Sequence, residues 1–177
     1  MNNIKLVAEL REQLEKRQLE VKKCPGVYRW WFPKTEAEKL LVKFKSPLQH
    51  EGRILQEKNI EGATYIALYF GISSDMSRRI RWHIRGPFKS STLRRTLRSI
   101  IALGKNDKDA EVLVNKLIDS CYWEWDYTDS TEHAECKETA ELAQKKYSYP
   151  LNISKNNTMS FKWIAELKQM RVKVKKE

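Results

Sequence analysis

Between Met76 and Asn106 the chain carries nine lysines and arginines (Arg78, Arg79, Arg81, Arg85, Lys89, Arg94, Arg95, Arg98 and Lys105) and no aspartate or glutamate. Solvated helix faces normally mix both signs to relieve repulsion, so a stretch of this kind points to an anionic partner. Two of its residues, Arg79 and His83, stand four apart and stack one turn above the other on a helix. A guanidinium fork matches phosphate oxygens, and an imidazole can donate to them or move a proton. Trp82 and Phe88 are interleaved with the cations, where aromatic faces stack on bases or anchor a basic helix to its core. Further on, Ala134, Glu138 and Leu142 recur at steps of four, which places a carboxylate in the middle of an inward-facing stripe. Glu138 is therefore either paired in the core or faces a cleft. Phosphate, water and a divalent cation are the chemistry that such groups serve.

The elements that must position these groups follow from periodicity. Ile4, Val7, Leu10 and Leu14 are spaced for an amphipathic N-terminal helix running to about Glu20, which Cys24-Pro25-Gly26 breaks. The β-branched and aromatic run VYRWWF reads as a strand. Residues 33–62 look like an insertion between two strands, with a short helix at Glu36 to Leu41. ATYIALYFG from Ala63 is apolar on both faces, which predicts a central strand ending at Gly71. Ser73, Ser74 and Asp75 offer cap oxygens to a helix with Met76, Ile80 and Ile84 on one face. Past Gly86-Pro87, Leu93, Leu97, Ile100 and Ile101 mark a second basic helix, and Ala110 to Ile118 a third. CYWEWDY alternates as a strand with one buried face. Thr128 to Thr131 caps a helix from Glu132 to Lys146, and Phe161, Ile164, Leu167 and Met170 mark a C-terminal helix.

Composition bounds the rest. The 177 residues carry a net charge of +11, 41% hydrophobic content, six Trp, seven Tyr and five Phe, enough for one domain with a sizeable core. The stretch from Met76 supplies most of that charge, and Lys155 to Glu177 adds seven Lys/Arg against two Glu. No run approaches the roughly 18 apolar residues that cross a bilayer. Glu9 and Arg11 interrupt any apolar signal core, so a cytoplasmic location is expected and export is not. Three scattered cysteines, Cys24, Cys121 and Cys136, without a CxxC pair suggest reduced thiols rather than a disulfide framework or a zinc knuckle. The basic helices lack large exposed apolar faces, which disfavours a membrane surface and leaves nucleic acid.

The order of the motifs resembles the GIY-YIG nucleases. Gly26-Val27-Tyr28 stands for the first tripeptide and Tyr69-Phe70-Gly71 for the second. Arg79, ten residues beyond Tyr69, falls at the family's catalytic arginine, and His83 where several members also carry histidine. TDSTEHAECKETAEL resembles the family's glutamate helix, with Ala134 four residues before Glu138. Pro150-Leu151-Asn152 matches its terminal asparagine. Two departures stand out. Forty residues separate Tyr28 from Tyr69 where the family usually has a tight hairpin, and Asn152 lies 14 residues after Glu138, further than in many members. The second leaves Glu135 and Glu141 as alternatives one turn either side of Glu138. Restriction-enzyme members tolerate long insertions between the tripeptides.

The resemblance implies an α/β domain with a small, mainly antiparallel three-stranded sheet (strands near Val27, Tyr65 and Trp123) flanked by helices. On that reading residues 1–23 form an extra helix, 25–152 the nuclease core and 153–177 a basic C-terminal arm. It implies a divalent-metal-dependent DNA endonuclease of restriction or mobile-element type. Glu138 anchors Mg²⁺ or Mn²⁺, Arg79 holds phosphate oxygens, and Tyr28, with Tyr69 in support, orients or deprotonates water. His83 binds the phosphate or shuttles a proton, and Asn152 ties the loop below. Arg78, Arg81, Arg85, Lys89, Arg94, Arg95 and Arg98 are the expected contacts to double-stranded DNA. The rival from another class is a non-catalytic nucleic-acid-binding module built on residues 76–106. Monomer and homodimer both stay open.

Overall fold

The computed structural model describes residues 1–153 and 156–174; Lys155 and Lys175 to Glu177 of the basic tail lie outside the described residues. Its centre is an antiparallel sheet of five strands, β1 (Asn3–Leu6), β2 (Gly26–Pro33), β3 (Glu57–Ile60), β4 (Ala63–Ser73) and β5 (Tyr122–Tyr127), in the order β1-β5-β2-β4-β3. The three expected strands are the middle three, and one edge strand is added on each side. On one edge Ile4 and Leu6 alternate toward the sheet's second face instead of continuing the helix, and residues Asn3 to Leu6 pair with β5. The expected N-terminal helix is thus confined to α1 (Val7–Glu15), because the free edge of β5 offers a full ladder of hydrogen bonds that a helix start cannot match. On the other edge, Glu61 and Gly62 both adopt positive φ (52° and 82°), the geometry of a two-residue hairpin turn that joins β3 to β4. The insertion therefore contributes α2 (Lys34–Leu41) and the edge strand β3.

β2 is the central strand, and β4 is second from the edge. Two cores lie on opposite faces of the sheet. The larger gathers Tyr28, Trp30, Leu68 and Trp123 beneath α1, α3 (Met76–Arg85), α4 (Thr92–Ile101), α5 (Asp107–Asp119) and α7 (Phe161–Val174). The smaller packs Val27, Trp31, Ala67 and Phe70 under α6 (Thr131–Ala143) through Ala134 and Leu142. The C-terminal helix is not a free arm: Trp163 and Leu167 are buried, Trp163 stacks on Phe44, and α7 packs against α4. Phe161 instead points to solvent, 86% exposed.

The basic stretch folds as α3, a single 3-10 turn at Phe88–Ser90, and α4. Asp75 caps α3 by accepting from the Arg78 amide at 2.8 Å, and Ser91 caps α4 by accepting from the Arg94 amide at 3.2 Å. The amides of Met76 and Ser77 donate to the carbonyls of Cys24 and Lys22, which stitches the start of α3 to the chain entering β2. That stitch brings the arginines of α3 beside Tyr28. No helix among the described residues is long and apolar enough to cross a membrane.

Candidate active site

Tyr28 and Tyr69 stand on adjacent strands, their rings stacked with centroids 6.2 Å apart. Their shared face follows from register: Gly71 lies directly opposite Tyr28, and Tyr69 is two residues back on the same strand. A Cβ on Gly71 would come within 2.8 Å of the Tyr28 hydroxyl oxygen and 3.2 Å of the Tyr69 ring. Glycine at the end of the second tripeptide is thus what lets the Tyr28 ring lean across β4. Asn152, itself buried, accepts from the Phe70 amide at 3.0 Å and donates to the Phe70 carbonyl at 2.8 Å. It clamps the strand between Tyr69 and Gly71 through the Phe70 backbone, which makes it a positioning residue.

Arg79 extends from α3 toward both phenols. Burial pushes the Tyr28 hydroxyl well above the usual phenol range and raises Tyr69 less, and the Arg79 cation opposes the shift at both. Glu138 is the carboxylate whose charge both phenols feel. Its rivals are elsewhere. Glu141 accepts from Arg29 at 2.9 Å and from the Tyr149 hydroxyl in a buried network on the sheet's other face, and Glu135 is exposed. The helix that carries Glu138 is held in turn by the insertion, since the buried Arg53 donates to the carbonyls of Leu142, Gln144 and Tyr147 at its end.

His83, fully enclosed, touches Tyr28 rather than open solvent. Its Nε2 lies 3.0 Å from the Tyr28 hydroxyl oxygen and its Nδ1 2.8 Å from Ser91 Oγ. Burial first, then the charges of Arg79 and Arg94, hold it well below the ordinary imidazole value of 6.5. The folded protein therefore stays neutral here where the unfolded chain takes up a proton. Stability is complete above pH about 6.5 and falls as the pH drops below it, by about 1.4 kcal/mol per unit while the one-proton difference lasts. Urea titrations from about pH 7 to about pH 5 should show that slope, and His83→Gln should flatten it; an unchanged slope in the variant would assign the proton elsewhere.

The expected DNA contacts divide into groups. Arg78, Arg81, Arg85 and Lys89 are exposed, and Arg85 pairs with Glu15 at 3.2 Å. Arg98 pairs with Asp107 at 2.6 Å and lies over Phe88. Arg94 departs from that expectation: it is 1% exposed and donates to the carbonyls of His83 and Ile84 and to Asn115, so its guanidinium is spent closing the end of α3 and not on a surface that DNA could meet. Trp82 is a partly exposed platform, with the guanidinium carbons of Arg78 and Arg79 at 5.1 and 5.6 Å from its ring centre.

Two residues enter the site without notice from the sequence. Ser91 is legible as a helix cap, but its contact with His83 needs α3 and α4 to be folded on each other. Arg171, from α7, comes near Tyr69 and Arg95. Burial and then the Arg95 charge lower its pKa, and Tyr69 opposes the shift. No local pattern marks Arg171, because nearly a hundred residues separate it from the strand it approaches. Its neighbour Arg95, one turn past Ser91, is half-buried.

Compared with known proteins, the chain matches the family model described as the GIY-YIG catalytic domain over residues 26–173. No curated protein and no solved structure matches it. The family match extends past Asn152 through α7, in keeping with the packing of that helix on α4.

Proposed function

Because the chain belongs to the GIY-YIG catalytic-domain family, whose domain implies a nuclease, we propose that it is a divalent-metal-dependent endonuclease that hydrolyses double-stranded DNA. The observation that carries this reading is the stacked pair Tyr28 and Tyr69, both of whose hydroxyls feel the charges of Arg79 and Glu138 from two further elements. Hydrolysis needs a deprotonated water, a stabiliser for the charge that develops on the phosphorane oxygens, and help for the leaving 3′ oxygen. Tyr28, once its own hydrogen has passed to solvent, takes the proton of the attacking water as a phenolate; Tyr69 shares the charge. Arg79 holds the non-bridging oxygens with its fork, and its cation makes both phenols easier to ionise. Arg171, Arg95, Arg78, Arg81 and Lys89 are the cations that would neutralise the phosphates flanking the cut.

Nucleases of this family are generally divalent-metal-dependent. Among the described residues no three His, Cys, Asp or Glu side chains gather as a metal cluster, so a cation held wholly by protein does not fit. The carboxylate of Glu138 is a single hard-oxygen donor. It fits Mg²⁺ or Mn²⁺, which keep waters and take substrate phosphate as further ligands. When bound, such an ion supplies Lewis-acid stabilisation of the phosphate and its leaving oxygen. The long segment between the tripeptides, built into α2 and β3, favours a restriction or mobile-element role, where added elements read a particular sequence.

The test incubates the protein with plasmid and genomic DNA from several sources, with Mg²⁺, with Mn²⁺ and with EDTA, and follows both cleavage and binding. Metal-dependent cuts at discrete positions are expected. Salt-sensitive binding without a product from any DNA would favour the non-catalytic module instead.

A further inference from the structure

The geometry points to Ser91 as the residue that sets the proton on His83, so that His83 is a hydrogen-bond donor to Tyr28 and not the acceptor of its proton. This inference rests on the nuclease reading for its catalytic meaning, though not for the direction of the hydrogen bonds. Ser91 Oγ is wholly buried and already accepts the Arg94 amide at 3.2 Å as the cap of α4. Its hydroxyl hydrogen needs an acceptor. Among the described residues the only one within reach is Nδ1 of His83, at 2.8 Å. Had Nδ1 carried the hydrogen, the serine oxygen would accept twice and its own O–H would be buried without a partner, a substantial cost. Nδ1 is therefore bare, and a neutral imidazole then carries its hydrogen on Nε2, 3.0 Å from the Tyr28 oxygen.

The consequence is a one-way chain: Ser91 O–H to Nδ1, then Nε2–H to the Tyr28 oxygen. With one lone pair occupied by His83, the Tyr28 hydroxyl hydrogen turns to the side of Tyr69. When Tyr28 gives that hydrogen to solvent, Nε2–H already points at the phenolate oxygen and its hydrogen bond strengthens as the charge grows. His83 has no free nitrogen with which to take the proton, which excludes the shuttle role. Without Ser91 the polarity reverses, because a phenol is the better donor and an imidazole nitrogen the better acceptor. Tyr28 then spends its hydrogen on His83.

The experiment reads the tautomer directly. In wild-type protein labelled with ¹⁵N-histidine, without DNA, long-range ¹H–¹⁵N correlation at neutral pH should show His83 bare at Nδ1 and protonated at Nε2; His83→Gln identifies its signals among the three histidines. A protonated Nδ1 overturns the inference. Ser91→Ala should shift the pattern toward Nδ1–H and lower kcat roughly tenfold, the scale of one buried hydroxyl left unmatched, with KM little changed. Ser91→Thr, which keeps cap and hydroxyl, should restore both. An Ala variant with the wild-type tautomer and kcat would also overturn it. Should the Ala variant fail to fold, the wild-type spectrum alone decides. A wild-type protein with the expected tautomer that cuts no DNA overturns the nuclease reading and leaves the direction of the chain standing.

Discussion

Arg79→Ala should lower kcat for DNA cleavage by about 10²–10³-fold, the loss seen when one preorganised charge stabiliser is removed, while leaving the thermal midpoint nearly unchanged. The side chain is half-buried on α3 and steadied over the Trp82 ring. Its Nε is enclosed without an acceptor among the described residues. Its fold partners thus lose little when it goes. The reaction loses two things: the fork that meets the phosphate, and the cation that most favours ionisation of Tyr28 and Tyr69. Arg79→Lys should recover little, because a point charge on a flexible stem does not reproduce the bidentate fork. Glu138→Ala should be comparably damaging but distinguishable, since raising the Mg²⁺ concentration should partly recover the glutamate variant and not the arginine variant. Single-turnover rates across a metal titration read the difference. Arg79→Ala cutting at the wild-type rate would remove that residue from the mechanism, and Glu138→Ala indifferent to metal would remove the carboxylate as anchor.

Arg94→Ala has the opposite profile: it should destabilise the fold by about 2–4 kcal/mol, the cost of unmatched buried acceptors together with a cavity. Arg94 satisfies the carbonyls of His83 and Ile84 at 3.2 and 3.0 Å and the Asn115 side chain at 2.7 Å, with Glu111 at 3.5 Å outside. Those carbonyls close α3, which carries Arg79 and His83. Its loss strips that donor from the His83 carbonyl and the Asn115 oxygen, while the Ile84 carbonyl keeps Arg11 at 3.1 Å, and it leaves an empty volume the size of the side chain. Urea denaturation measures the destabilisation. DNA binding measured well below the variant's melting range should change little, whereas Arg78→Ala, at an exposed position, should weaken binding and leave stability unaltered. A variant as stable as wild type would show that water replaces the guanidinium.

How much of this was legible beforehand depends on the range of the interaction. The strands at Val27, Tyr65 and Trp123, the capped helix after Ser73 and the helices carrying Leu93 and Ala110 are written in local periodicity, and each formed. Residues Ile4 to Leu6 fit a helix face and a strand face equally well over so short a run. The open edge of β5, more than a hundred residues away, decided between them. β3 was unreadable for a related reason: EKNI has little strand character of its own, and it is the Glu61-Gly62 turn and the exposed edge of β4 that hold it in the sheet.

The sequence by itself determined the identity and order of the reactive groups: two tyrosines on strands, an arginine and a histidine four apart on one helix, a carboxylate set into an apolar stripe, and a cationic surplus concentrated in one stretch. Those follow from residue type and spacing, which the chain carries locally. Tertiary structure decided what each charge is for. The stretch from Met76 to Asn106 holds no carboxylate, yet folding brings Glu15, Asp107 and Glu111 to Arg85, Arg98 and Arg94 from other helices. It turns one arginine inward as a helix closure, leaves Arg78 and Arg81 to solvent, and adds Arg171 from the far end of the chain. Charge density is additive along a sequence, but pairing and burial are decided by distances of a few ångströms between elements, and only the packed fold sets those.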